Sequence, residues 1–255
     1  MTDTVTAAPA TPLGVGAIIS ETFSIFARCF VPCMIAILGP SLVVFALSLV
    51  LVGAPITDFD DPGAIAGPGF GDVIVNILSL LAASLSIAIV VRIVYDTKLG
   101  KQPNFGAAVR SAVPHLAPIF VLSIAFYLAI VVGLIALVVP ALWIMAALGV
   151  YAPAIVVENA GFRGLGRSFE LTKGYRWPIV GVALVLGIIY LIALSVVGGL
   201  FVALASTLGI IAMLLLTIII AVPQALLSVA PVLIYARLRE IKDGLGVEDV
   251  ASVFE

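Results

Sequence analysis

The sequence predicts an all-α fold, a polytopic membrane protein of six transmembrane helices. The helices group as three similar units, each an interfacial amphipathic helix followed by a helical hairpin. Three observations lead there. Only 10% of the 255 residues are charged and the mean hydropathy is +1.32, whereas a soluble domain carries about 25% charged residues. Uncharged apolar tracts recur at lengths suited to a bilayer. All twelve Lys and Arg residues fall in alternate connections between those tracts. Barrel strands would alternate apolar and polar positions over about ten residues, and these tracts are apolar throughout, as lipid-embedded helices are.

The first twelve residues, MTDTVTAAPATP, have no basic region. They read as a disordered lead (1–12) rather than a signal peptide. The transmembrane domain is expected over 13–240 and a cytoplasmic tail over 241–255. A crossing needs about 20 apolar residues. Residues 31–53 make span one and residues 73–95 span two. Residues 116–157 are uncharged over 42 positions. At about 1.5 Å per residue that is roughly 63 Å, or two crossings, with the break expected at Pro140. This gives span three at 116–138 and span four at 141–158. Residues 179–236 are likewise uncharged. They divide into spans five (178–204) and six (209–236) with a turn near Gly209.

The basic residues set the orientation. Arg28 precedes span one. Arg92, Lys98, Lys101 and Arg110 flank the next even-to-odd connection, Arg163, Arg167, Lys173 and Arg176 the one after, and Arg237, Arg239 and Lys242 follow span six. The opposite loop, 54–72, carries Asp58, Asp60, Asp61 and Asp72 instead. The positive-inside rule therefore predicts cytoplasmic termini.

The three entries into odd-numbered spans read GVGAIISETFSIFARCFVP, NFGAAVRSAVPHLAPIF and GFRGLGRSFELTKGYRWPI. Each is a short amphipathic stretch followed by a proline (Pro32, Pro118, Pro178) that opens a new helix. In the third, a helical projection puts Phe162, Leu165, Phe169 and Thr172 on one face and Arg163, Arg167 and Glu170 on the other. Leu171 is the exception. Arg167 and Glu170 are spaced to pair, Gly174 reads as a helix stop, and Tyr175 and Trp177 suit the headgroup level. In the first, Ile18, Ile19, Thr22, Phe23, Ile25 and Phe26 oppose Ser20, Glu21, Ser24 and Arg28.

The run Ala154 to Asn159, Gly161, Arg167 to Gly174 and Arg176-Trp177, with Ile19 to Phe23 and Phe26, resembles the membrane domain attached to some glycerophosphoryl diester phosphodiesterases and many free-standing bacterial multi-pass proteins. The specific part covers about 25 residues. The resemblance implies a helical membrane module in the bacterial inner membrane. The phosphodiesterase of such proteins lies in a separate appended domain, so no catalytic residue carries over.

No phosphate-binding loop, dinucleotide fingerprint, nucleophile elbow or zinc motif is present. No cofactor and no nucleic-acid partner are expected. Cys29 and Cys33 share a helix face and are expected to be free thiols. His115 reads as an interfacial or capping residue, and the Asp58, Asp60, Asp61 loop as solvated. Arg163, Arg167, Glu170, Lys173, Arg176 and Trp177 are candidates for contact with anionic lipid headgroups or a partner protein, which includes a second copy. Glu158, at the end of span four, reads either as a structural ion pair with Arg92, Arg163 or Arg167 or as part of a polar path. Asn76 and Gln224 are the other path candidates, Gln224 beside Pro223 in a sixth helix expected to be broken. Small residues at four-residue spacing (Ala125, Ala129, Gly133; Ser195, Gly199, Ala203) mark close helix approaches. The expected function is a non-enzymatic membrane scaffold or accessory module. The alternative is a small-solute or lipid transporter or channel with its path near the sixth helix.

Overall fold

A computed structural model describes residues 13–53 and 69–244, and for 205 and 206 the backbone only. The lead 1–12, the acidic loop positions Asp58, Asp60 and Asp61 and the tail from 245 lie outside the described residues. Every described element is helical. They are α1 (Val15–Arg28), α2 (Phe30–Leu51), α3 (Phe70–Lys98), α4 (Phe105–Ala112), α5 (Leu116–Ala136), α6 (Val138–Leu148), α7 (Tyr151–Glu158), α8 (Gly164–Thr172), α9 (Arg176–Leu208) and α10 (Ile210–Asp243). Six segments are long and apolar enough to cross a membrane, with α6 and α7 together forming the fourth. The chain is an integral, multi-pass membrane protein. A short helix followed by a hairpin occurs three times: α1 before α2–α3, α4 before α5–α6/α7, and α8 before α9–α10.

Prolines set the helix starts. Pro32, Pro118 and Pro178 are each the third residue of their helix, and so are Pro140 in α6 and Pro153 in α7. The first four N–H groups of a helix have no intrahelical acceptor, so a proline there loses nothing. The residue after it makes the first helical bond, as Cys33 N to Cys29 O, Ala154 N to Val150 O and Ile179 N to Tyr175 O.

Three boundaries differ from expectation. The α5–α6 turn falls at Leu137, and Pro140 sits one turn inside α6 rather than at the break. Span four is interrupted between Leu148 and Tyr151, where Pro153 has no N–H to give to the Gly149 carbonyl. The sixth helix is not broken: α10 runs continuously through Pro223 and Pro231. Packing of residues 225–238 against neighbouring helices holds the turns on either side of Pro231, so the proline costs one hydrogen bond without ending the helix.

The core gathers at the end that carries the basic residues. There Ala88–Tyr95 of α3 apart from Arg92, Tyr151–Val156 of α7 and most of Ala225–Leu238 of α10 are buried. At the opposite end Val50, Phe70, Ile135, Val196 and Val202 are exposed, as side chains facing lipid are. A Lys98–Glu21 salt bridge (3.2 Å) ties α3 to α1. Asp72 caps the start of α3 by accepting from Gly69 N at 2.8 Å. On α1, Ile18, Thr22 and Ile25 are buried as expected while Phe23 is exposed. Cys29 and Cys33 are free and buried, their Sγ atoms 3.4 Å apart. His115 stands at the start of α5 but its side chain caps nothing among the described residues.

Only part of the small-residue pattern packs. A Cβ on Gly133 would lie 2.8 Å from Ala141 Cα, so this glycine sets the α5–α6 approach. Gly199 has nothing within 4 Å and Ala203 is exposed, so among the described residues that stripe on α9 meets no other helix. We predict that Gly133→Val lowers stability by about 1–3 kcal/mol through overpacking, whereas Gly187→Ala, in open space, leaves it unchanged or slightly raised. Unfolding in mixed SDS micelles distinguishes the two.

Candidate functional site

The end of α7 is the focus of charge. Asn159 follows Glu158 in the left-handed region (φ 54°), and a short 3-10 turn at Gly161–Arg163 leads into α8, which doubles back onto α7. The return is close because residue 164 is glycine: a Cβ there would lie 2.5 Å from Ile155 Cγ1. Arg167 is thereby brought to Glu158. Its Nε donates to Glu158 Oε2 (2.8 Å) and its Nη2 to Oε1 (3.1 Å), a bidentate pair. Glu158 Oε1 also accepts from the Tyr235 hydroxyl (2.8 Å) and faces Arg239 Nε at 3.5 Å. Arg167 Nη2 donates in addition to Asp243 Oδ2 (2.5 Å). One carboxylate thus joins α7, α8 and α10. The hydrogen bonds of Glu158, reinforced by Asp243, hold the Arg167 guanidinium above its ordinary pKa although partial burial works against this.

This resolves the pairing alternatives. Among the described residues Glu158 pairs with Arg167 and not with Arg92, which bonds Asp96 four residues on (3.1 Å). Arg163 is exposed. The expected Arg167–Glu170 pair does not form. A partly buried bidentate contact outweighs an exposed pair along one helix, which is worth only a few tenths of a kcal/mol. Glu170 instead accepts Lys242 Nζ on its main-chain oxygen (2.6 Å).

The buried face of α8 also differs from the helical projection. Gly164, Ser168, Leu171 and Thr172 are buried, whereas Phe162 (63%) and Phe169 (43%) are exposed. Leu171, the exception in projection, lies inside because α8 packs its small residues on α6 and α7. Those residues serve the break in span four. Ser168 Oγ donates to Ala147 O (3.0 Å) and accepts from Val150 N (3.3 Å), and Thr172 Oγ1 also reaches Ala147 O (3.0 Å). Gly174 ends the helix as expected, with φ +90°.

Beyond that stop, Arg176 lies between two rings, 4.1 Å from the Trp143 centroid and 4.0 Å from that of Phe169. Its Nη2 donates to Phe169 O (3.3 Å). Trp177 is 69% exposed and Lys173 is exposed. Lys173, Arg167 and Arg176 repel Lys242 and Asp243 attracts it, so these cations share one corner with that carboxylate.

The polar-path candidates do not converge. Gln224 lines a cavity of about 320 Å³ between α2, α3, α5 and α10, with Ile37, Ser41, Val44, Ser79, Ala82, Ala83, Ser86, Ile87, Val90, Tyr127 and Ser228. Asn76 is exposed on the same side of α3, about a turn beyond Ser79, and is not part of the lining. Glu158 belongs to the charged end: its partner Tyr235 is eleven residues from Gln224, about 16 Å along α10. Sequence reasoning missed Tyr235, Arg239, Asp243, Trp143 and the Ser168/Thr172 pair. A signal existed for three of them, since positions 235, 239 and 243 recur every four residues on one helix face.

Neither protein-family models nor curated proteins nor solved structures give a match to the chain.

Removing the Ser168 hydroxyl leaves the buried Val150 N–H unpaired, so Ser168→Ala is expected to cost about 1–3 kcal/mol. Thr172→Val leaves Ser168 in place on Ala147 O and costs less. Detergent thermal unfolding of both variants checks the order.

Proposed function

We propose that the protein is a non-enzymatic scaffold or accessory module of the bacterial inner membrane. It holds both termini in the cytoplasm and engages anionic lipid headgroups at the α8–α9 corner. The observation that carries this reading is the shared corner of Lys173, Arg176 and Lys242. Among the described residues no carboxylate forms a salt bridge with any of the three. Glu158 and Asp243 are balanced by Arg167 and Arg239, so the three remaining cations are left to the surface. Trp177, exposed beside the cations, suits the headgroup level. The orientation follows from the Lys and Arg distribution. The protein relatives implied by the glycerophosphoryl diester phosphodiesterase resemblance, and the descent of the three helix-plus-hairpin units from one repeated unit, belong to the same proposal.

Each cation near an anionic leaflet contributes about 1 kcal/mol. Replacing both lysines (Lys173→Gln with Lys242→Gln) is therefore expected to lower retention of phosphatidylglycerol over phosphatidylcholine by roughly tenfold or more. Native mass spectrometry of protein released from mixed-lipid nanodiscs measures this ratio. Unchanged retention would sink the headgroup reading.

A further inference from the structure

We propose that the cavity between α2, α3, α5 and α10 is a hydrated binding site for a small uncharged solute that hydrogen-bonds at several points, a polyol or an amide. This goes beyond the headgroup reading and does not depend on it.

Ser41, Ser79 and Ser228 donate to carbonyls of their own helices, at Ile37, Val75 and Ala225, which leaves their oxygens able to accept from a ligand. Ser86, Tyr127 and Gln224 make no hydrogen bond to protein among the described residues. All six line one cavity. In hydrocarbon an unsatisfied polar group costs several kcal/mol, so Ser86, Tyr127 and Gln224, which have no protein partner among the described residues and face one space within the spans, call for water or a solute there, and the three bonded serines add acceptors to it. A volume of about 320 Å³ suits both, since it equals roughly ten waters at about 30 Å³ each and reaches the lower range of ligand pockets.

The lining defines the chemistry. It contains no charged residue, so an ionic ligand would be left unpaired at membrane depth. The Gln224 carboxamide offers donors and an acceptor together, and the hydroxyls offer both roles at short range. A neutral molecule bearing several hydroxyls or an amide matches that set. Apolar walls at Ile37, Val44, Ile87 and Val90 fit its carbon skeleton. Asn76 supplies the approach. Positions 76, 83 and 90 are spaced by seven and lie on one stripe of α3, and Asn76 is exposed toward the end of α3 opposite the charged corner. The stripe therefore leads from that end of the bundle to the cavity.

Thiol labelling in native membranes tests the proposal. Ser86→Cys is made in a background of Cys29→Ala and Cys33→Ala, and iodoacetamide, a small uncharged amide, is the reagent. Rates are normalised to the exposed Lys101→Cys to remove viscosity effects. A thiol reacts as the thiolate, which needs water, so Ser86→Cys is expected to react at least about tenfold faster than the lipid-facing Ile192→Cys. Glycerol or acetamide should slow that reaction about threefold or more, and Gln224→Leu should abolish the protection. Three results would overturn the proposal: a rate at Ser86→Cys as slow as at Ile192→Cys, a fast rate that neither probe slows, or reaction only with a membrane-partitioning maleimide, which means lipid fills the space. If Ser86→Cys does not fold, Ser79→Cys on the same lining gives the same readout.

Discussion

A carboxylate at the edge of a membrane must be paired, and Glu158 is paired on three sides. Arg167 grips both of its oxygens, and Tyr235 and Arg239 reach it from α10. The chain must turn back after Asn159 to bring α8 to this point, and Gly164 is the residue that lets it lie against Ile155. Once α8 is fixed, its Ser168 and Thr172 fall over the break in span four and satisfy groups that the missing helical bonds leave open. The same helix carries Phe169 into the stack with Arg176 and Trp143. The packed end of the bundle therefore combines an apolar core with one ionic contact that joins α7, α8 and α10. Such a contact is expected where lipid supplies no hydrophobic drive between helices.

The number and rough extent of the crossings were legible because length and hydropathy depend only on the bilayer. Proline was equally readable: Pro32, Pro118 and Pro178 each open a span, since position three of a helix is where the missing N–H is harmless. Pro140 obeys the same rule, and reading it as the break itself misplaced the turn by three residues. Gly174 and the free Cys29 and Cys33 were also foreseen.

What escaped the sequence depends on contacts between distant segments. The interruption at Gly149–Val150 is tolerated only because Ser168, eighteen residues on, meets Val150 N. The buried face of α8 follows small residues rather than the hydropathy of the helical projection, so Leu171, the exception in that projection, lies inside while Phe169 of its apolar face stays exposed. Glu158 was recognised as the singular ionisable group of span four. Its partners Tyr235 and Arg239 lie about eighty residues away, where no local rule joins them to it. Gln224 and Asn76 share one side of the bundle, while Glu158 serves the other end.

The claim that this ionic contact holds α7, α8 and α10 together is tested most directly by a double-mutant cycle on Glu158→Ala and Arg167→Ala, read by unfolding in mixed SDS micelles. The account predicts a coupling energy of at least about 1.5 kcal/mol, the scale of charge-assisted hydrogen bonds. Single losses are expected to exceed those of Arg92→Ala, whose partner lies on its own helix. Additive losses, with coupling near zero, would contradict it.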